Sequence, residues 1–211
     1  MSAYGGRMPV HAIRTSYDAR AAEYADRFAS VAAAPPADVA EIRDWAGRCS
    51  GAIVDAGCGP VHWTDDLRRR GFDISGFDLS PASIAIAQQR FPRTRYRVAE
   101  LVRSGIPTAS VGGVLSWFSV IHTPPRELDP VLAEFARWLA PGGRLLLAAF
   151  SWATLEEFPH AVVTAYRWPP RMLAERLEAA GLEVLRVSER TPDGARRQCT
   201  LEARRAGALL R

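Results

Sequence analysis

Gly51-Ala52-Ile53-Val54-Asp55-Ala56-Gly57-Cys58-Gly59-Pro60 decides the fold of this chain. Ala52-Ile53-Val54 is a continuous apolar run, as expected of a central strand covered on both faces. Two glycines spaced by one residue then let the backbone turn tightly and bring its N–H groups close to a ligand at the start of the next helix. A dinucleotide fingerprint would need a further glycine at position 62, where this chain has His62, so NAD and FAD are disfavoured.

Working outward, short apolar runs alternate with helical stretches, the signature of strand-helix-strand units in a parallel sheet. Thr64 to Arg70 reads as a helix, Phe72 to Phe77 as a strand, and Ser80-Pro81 as a clean helix start running to Arg90. Arg95 to Val98 and Val111 to Ser119 are the third and fourth strands. Thr123-Pro124 repeats the cap-then-proline start of a helix with Leu128, Val131, Leu132, Phe135 and Leu139 on one stripe, stopped by Pro141-Gly142-Gly143. Arg144 to Ala149 is the fifth strand, and a helix from Pro170 closes at Gly181. Leu182 to Val187 and Gln198 to Ala203 are the last two strands, joined through Pro192-Asp193-Gly194. Upstream, Thr15 to Ala34 predicts a helix with Ala21, Tyr24, Phe28 and Val31 on one face. A second helix opens with a capping-box-like Asp38 and Glu41 and buries Ile42 and Trp45 before Gly47.

Two acidic residues end later strands. Asp78 stands where a carboxylate can accept hydrogen bonds from ribose hydroxyls, or is a simple loop aspartate. Glu100 stands where an acid beside a backbone N–H reads an adenine edge, or is a solvated residue.

Together these residues resemble the class I S-adenosylmethionine-dependent methyltransferases. The match lies in Val54–Pro60, Gly76-Phe77-Asp78-Leu79-Ser80-Pro81, Ser119-Val120-Ile121-His122 and Leu139-Ala140-Pro141-Gly142-Gly143-Arg144-Leu145. Tyr17-Asp18, five residues, then Tyr24 is similar to an N-terminal element of small-molecule methyltransferases. The resemblance implies a Rossmann-like α/β fold: a doubly wound, seven-stranded, mostly parallel sheet with the last strand antiparallel. It also implies an N-terminal helical lid over residues 1–46 and a cofactor-binding domain over 47–211. The implied cofactor is S-adenosyl-L-methionine. Gly57, Cys58 and Gly59 would lie against its methionine part, and Asp78 would hold the ribose hydroxyls with Leu79 packing on adenine. Glu100 and Leu101 would sit by the adenine amino group, and Ala56 and Ser80 would also be cofactor-binding residues. Trp117 and Phe118 would face the sulfonium, Tyr17 and Tyr24 would cover the cofactor from the lid helix, and Asp55 would orient the glycine loop or, through water, the cofactor's amino group. The chain departs from the family at Val61, where a third glycine is usual.

Methyl transfer is an in-line displacement, so positioning supplies most of the catalysis, and a base is needed only if the acceptor carries a proton. His122, at the mouth of the sheet, is the first candidate base or else a helix-start histidine. His160, in the insert after the fifth strand, is the second, and His62 also stands near the glycine loop. Ser151 to Pro169, with Trp152, Phe158, Tyr166 and Trp168, either walls a flat organic acceptor or packs its own small core. No (Asp/Asn/Ser)-Pro-Pro-(Tyr/Phe) motif follows the fourth strand, which disfavours DNA and amide acceptors.

The chain has 211 residues and a formal net charge of +4, with 27 basic residues against 23 acidic. It contains neither Lys nor Asn, which excludes Schiff-base chemistry, a P-loop lysine and N-glycosylation. Arg68–Arg70, Arg93/Arg95/Arg97 and Arg196/Arg197/Arg204/Arg205 are candidate nucleic-acid patches, but their spacing also fits solvent-facing sides of a helix and a strand. Cys49, Cys58 and Cys199 are scattered, against both a disulfide framework and a metal site. No run is long enough to span a bilayer and Met1 to His11 has no apolar core, so a cytoplasmic location is expected. The expectation is a monomeric or homodimeric enzyme of specialised metabolism, methylating O, N or C of a small molecule, with no nucleic-acid or membrane partner. The alternatives are a protein of this fold that binds the cofactor but does not methylate, as a rearrangement catalyst or a binding protein, and an RNA methyltransferase.

Overall fold

The computed structural model describes residues 10–27, 30–60, 62–192 and 194–207. Phe28, Val61 and Asp193 lie outside the described residues. The sheet has nine strands: β1 Ile53–Ala56, β2 Ile74–Asp78, β3 Arg95–Val98, β4 Val111–Trp117, β5 Leu139–Ser151, β6 Glu156–Phe158, β7 Ala165–Trp168, β8 Leu182–Arg190 and β9 Gln198–Arg205. Seven of them form the expected sheet in the order β3-β2-β1-β4-β5-β9-β8, with β9 antiparallel to both neighbours. The other two correct the expected count of seven. The aromatic insert folds into the β6–β7 hairpin, and β7 pairs with β5 at Phe150 and Ser151, just past the end of β4.

Helices cover both faces. α5, Pro125–Trp138, buries Leu128, Val131, Leu132 and Phe135 and shares one core with Leu173 and Leu177 of α6, Pro170–Ala179. On the other face Ile42 and Trp45 of α2, Pro36–Gly47, pack with Leu67 of α3, Trp63–Arg69. Each fully buried Leu or Ile contributes roughly 1.5–3 kcal/mol. Ser80 caps α4, Pro81–Arg90, by accepting from the Ser83 N–H at 3.0 Å, as the Ser-Pro start predicts.

Two other expected starts are corrected. Asp38 does not cap α2: the helix begins two residues earlier, at Pro36, whose fixed φ suits the first helical position, and Asp38 is buried in an ion pair with Arg190. Likewise Thr123 does not cap α5, which starts after Pro124. The predicted first helix is α1, Val10–Arg27, followed by a separate 3-10 turn at Val31–Ala33.

α1 lies across α4 and is pinned to both ends of it, through its own middle and its C-terminal turn. Asp18 accepts from Ser80 Oγ at 2.5 Å and from the Ala82 N–H at 3.1 Å, so it caps the start of α4 from another helix. At the far end Arg90 pairs with Asp26 at 2.7 Å and donates to the Ala25 carbonyl.

Candidate active site

Gly57 shapes the turn after β1. Its φ is +83°, and a Cβ there would lie 2.3 Å from Ser119 Cβ, so no other residue fits without displacing the strand-four loop. The amides of this turn are used differently from the expectation. Gly57 and Cys58 donate to the Phe77 carbonyl at 2.8 and 3.0 Å, and Gly59 donates to Asp78 Oδ2 at 2.9 Å. The loop is thus stitched to β2 by its own N–H groups, and what it offers a ligand is close backbone approach rather than free donors.

A cavity of about 1850 Å³ opens beside this turn. It exceeds the roughly 300–1,000 Å³ of a usual ligand pocket, so it has room for two ligands side by side. Of the predicted site residues, Tyr17, Tyr24, Asp55, Gly57, Cys58, Gly59, Asp78, Leu79, Glu100, Leu101, Trp117, Phe118, His122 and His160 line it. Ala56 and Ser80 do not. Both have no exposure at all, Ala56 inside the sheet and Ser80 beneath the α4 cap.

Asp78 ends β2 with one carboxylate oxygen on the Gly59 N–H and the other on the Ser80 N–H, at 2.9 and 2.8 Å. Burial raises its pKa above the usual carboxylate value, and these backbone donors pull the other way. A carboxylate has about four acceptor positions, so lone pairs remain beside the cavity. Asp55 holds α3 to β1 by accepting from Thr64 Oγ1 at 2.7 Å, and burial pushes its carboxyl up to about 7. Glu100 pairs with Arg14 of α1 at 3.6 Å, a tie to the lid that neither reading of Glu100 contained. The Cys58 thiol is buried and its pKa is raised well above the ordinary value, so it is no nucleophile.

Phe118 leaves β4 with φ +57°, a strained conformation for a bulky residue, of a kind that clusters at functional sites. From Trp117 and Phe118 the rings continue through Phe150 to His160 and His122, with centroids 5.7, 5.2, 5.8 and 5.1 Å apart in sequence.

His122 is the best-defined group. Its Nδ1 lies 2.8 Å from the Thr164 carbonyl, which can only accept, so Nδ1 carries the proton. Nε2 therefore presents a lone pair, 2.9 Å from Tyr17 Oη, and the tyrosine donates to it. Burial lowers the His122 pKa and raises that of Tyr17, so both groups are neutral at pH 7. The lid, the strand-four loop and the hairpin thus meet at one hydrogen-bonded pair. His160 joins it edge-on, and burial together with the neighbouring His122 and Arg196 holds its pKa down to about 4.

Most arginines of the candidate patches are engaged elsewhere. Arg68, Arg70, Arg95, Arg197 and Arg204 form ion pairs with Asp65, Asp66, Asp73, Glu189 and Glu183, and Arg205 donates to the Leu139 carbonyl at 2.5 Å. Among the described residues no His, Cys, Asp and Glu cluster could hold a metal ion, and no helix is long and apolar enough to cross a membrane.

Residues 53–143 match a family model described as a methyltransferase domain. Over 109 residues the chain is 28% identical to a malonyl-(acyl-carrier protein) O-methyltransferase of Serratia marcescens, covering 52% of this chain and 42% of that one. Over 146 residues it is 30% identical to a probable S-adenosylmethionine-dependent methyltransferase of Mycolicibacterium smegmatis, covering 66% and 55%. The chain spans about half the length of these curated relatives. Among solved structures it is similar to the Burkholderia thailandensis 1,6-didemethyltoxoflavin-N1-methyltransferase with bound 1,6-didemethyltoxoflavin and S-adenosylhomocysteine. That match has a TM-score of 0.78 and 22% identity, and covers 96% of this chain and 92% of that one.

Proposed function

By its domain this chain belongs to the class I S-adenosylmethionine-dependent methyltransferases, and on that premise we propose that it methylates an oxygen, nitrogen or carbon of a small organic molecule, in specialised metabolism. The observation that carries this reading is the convergence of Asp78, the Gly57–Gly59 turn and the neutral Tyr17–His122 pair on one cavity.

The residues present fit the cofactor. The missing Cβ of Gly57 leaves backbone in close reach, and Asp78 keeps lone pairs for two vicinal hydroxyls. Leu79 and Leu101 supply apolar surface for a base, with Glu100 beside it, and Trp117 and Phe118 offer ring faces that favour a cation. When bound, S-adenosylmethionine supplies a methyl group on a positively charged sulfur. Tyr17 and Tyr24 line the cavity from α1, the position from which a covering helix shields the reacting atoms from water. Where the acceptor carries a proton, that proton passes to Tyr17 Oη while the tyrosine's own proton moves to His122 Nε2. Tyr17 so acts as a relay and never as a tyrosinate, consistent with its raised pKa.

Labelled methyl transfer from S-adenosylmethionine to a panel of aromatic acids, phenols and amines tests the reading. Incorporation that falls at least tenfold in His122→Ala supports it. Tight cofactor binding with no transfer to any acceptor favours a protein of this fold that does not methylate, and an RNA gel shift at physiological salt would favour the RNA enzyme.

A further inference from the structure

Resting on the methyltransferase reading, the structure also narrows the chemistry of the acceptor. Phe150 touches both Phe158 and His160, with centroids 5.4 and 5.8 Å away, and Phe118 lies 5.2 Å from Phe150. These rings form one wall, built by the end of β4, the end of β5 and the β6–β7 hairpin. Arg196, in the connection between β8 and β9, sets its guanidinium over this wall, with Cζ 5.0 Å from the Phe158 centroid, and lines the cavity together with Gly194 and Ala195.

The neighbouring arginines are spoken for. Arg167 pairs with Glu156 at 2.6 Å, Arg197 with Glu189 at 3.0 Å, and Arg20 with Glu23 at 2.7 Å. Arg196 forms no ion pair or hydrogen bond among the described residues, and its contact is the ring face alone. The charges that act on His160 share one sign, since His122, Arg196 and Arg20 all oppose its protonation. The acidic residues at the cofactor side are engaged as well: Asp55 with Thr64, Asp78 with two amides and Glu100 with Arg14. A stacked guanidinium with its donor fork unused, in a positive and largely aromatic surrounding, is suited to a carboxylate or a comparable planar anion.

We propose that the acceptor is a flat organic anion, its ring seated on the Phe118–Phe150–His160 wall and its anionic group held by Arg196, which leaves its reacting atom toward His122. Arg196 is then a specificity residue rather than a catalytic one.

The test compares acids with their uncharged amides on the full chain, with and without S-adenosylhomocysteine. The probes are benzoate, 4-hydroxybenzoate and indole-3-acetate, each against its amide, titrated by calorimetry. A charged hydrogen-bonded pair is expected to favour at least one acid by roughly tenfold or more. Arg196→Gln should abolish that preference while leaving S-adenosylhomocysteine affinity unchanged. An NMR titration of His160 should show its pKa rising when the acid binds, because a neighbouring anion favours the imidazolium. The proposal is overturned if no acid is preferred over its amide in the wild-type protein, or if the preference survives in Arg196→Gln. Failure of S-adenosylhomocysteine to bind would instead remove the methyltransferase reading, and the acid-amide comparison on the protein alone is read the same way.

Discussion

Replacing Asp55 with asparagine separates the charge of this buried carboxyl from its shape, because an asparagine oxygen can still accept from Thr64 Oγ1. In the folded protein the carboxyl titrates at about 7, and in the unfolded chain at about 3.9. A folded pKa raised in this way means that stability is highest below the unfolded value and is lost as pH rises through the folded one. Between pH 6 and 8 the unfolded carboxyl binds essentially no proton while the folded one releases one across the interval. Linkage then removes about 1.4 kcal/mol of stability. For a chain of this length that is roughly 3–6 °C in Tm. His122 and His160 act oppositely: their folded pKa values lie below the ordinary one, so they add stability as pH rises through about 6.5. The Asp55→Asn profile should therefore climb with pH more steeply than the wild-type profile, by about 1.4 kcal/mol between pH 6 and 8. Urea denaturation of both proteins at pH 6, 7 and 8 reads the difference directly. Identical pH dependence in the two would refute the reasoning, since it would mean that Asp55 is ionised throughout.

Three further substitutions probe the lid and the turn. Tyr17→Phe leaves the buried His122 Nε2 without its donor and should cost about 1–3 kcal/mol of lid docking; faster hydrogen exchange along α1 is expected, and unaltered protection would contradict the contact. Asp18→Ala removes the cap that α1 lends to α4 and should cost about 0.5–2 kcal/mol in urea denaturation. Gly57→Ala combines a left-handed backbone with a Cβ driven against Ser119. A loss of about 2–5 kcal/mol is expected, and a Tm within a degree of wild type would show that the turn is looser than its geometry.

What was readable in the sequence and what was not divides along contact range. Ser80-Pro81 announced α4 because a cap and its helix are local, and the apolar runs announced β1, β4 and β5 because burial on two faces leaves its mark within a few residues. The stripe of α5 did the same at helical spacing. Asp38 misled, because the same acid that suits a cap also suits a distant partner, here Arg190. Asp18 could not be read as a cap for α4, since its partners lie 62 and 64 residues away. The hairpin was hidden for a different reason: its strands are three and four residues long, too short for alternation to register. The cofactor-side residues were named by resemblance and His122 and His160 by their place after the fourth and fifth strands, and the cavity gathers all of them except Ala56 and Ser80. Which ring nitrogen of His122 carries the hydrogen, and that Arg196 has a ring face rather than a carboxylate as its partner, emerged only from the three-dimensional contacts.

Calorimetric titration of the full chain with S-adenosylhomocysteine tests the central claim most directly, that the cavity beside the Gly57–Gly59 turn is a cofactor site held by Asp78. The account predicts one-to-one binding that Asp78→Ala weakens by roughly 5- to 150-fold, the equivalent of about 1–3 kcal/mol, in a variant whose thermal unfolding confirms that it is folded. Wild-type protein that does not bind, or a folded Asp78→Ala variant that binds with full affinity, would contradict it.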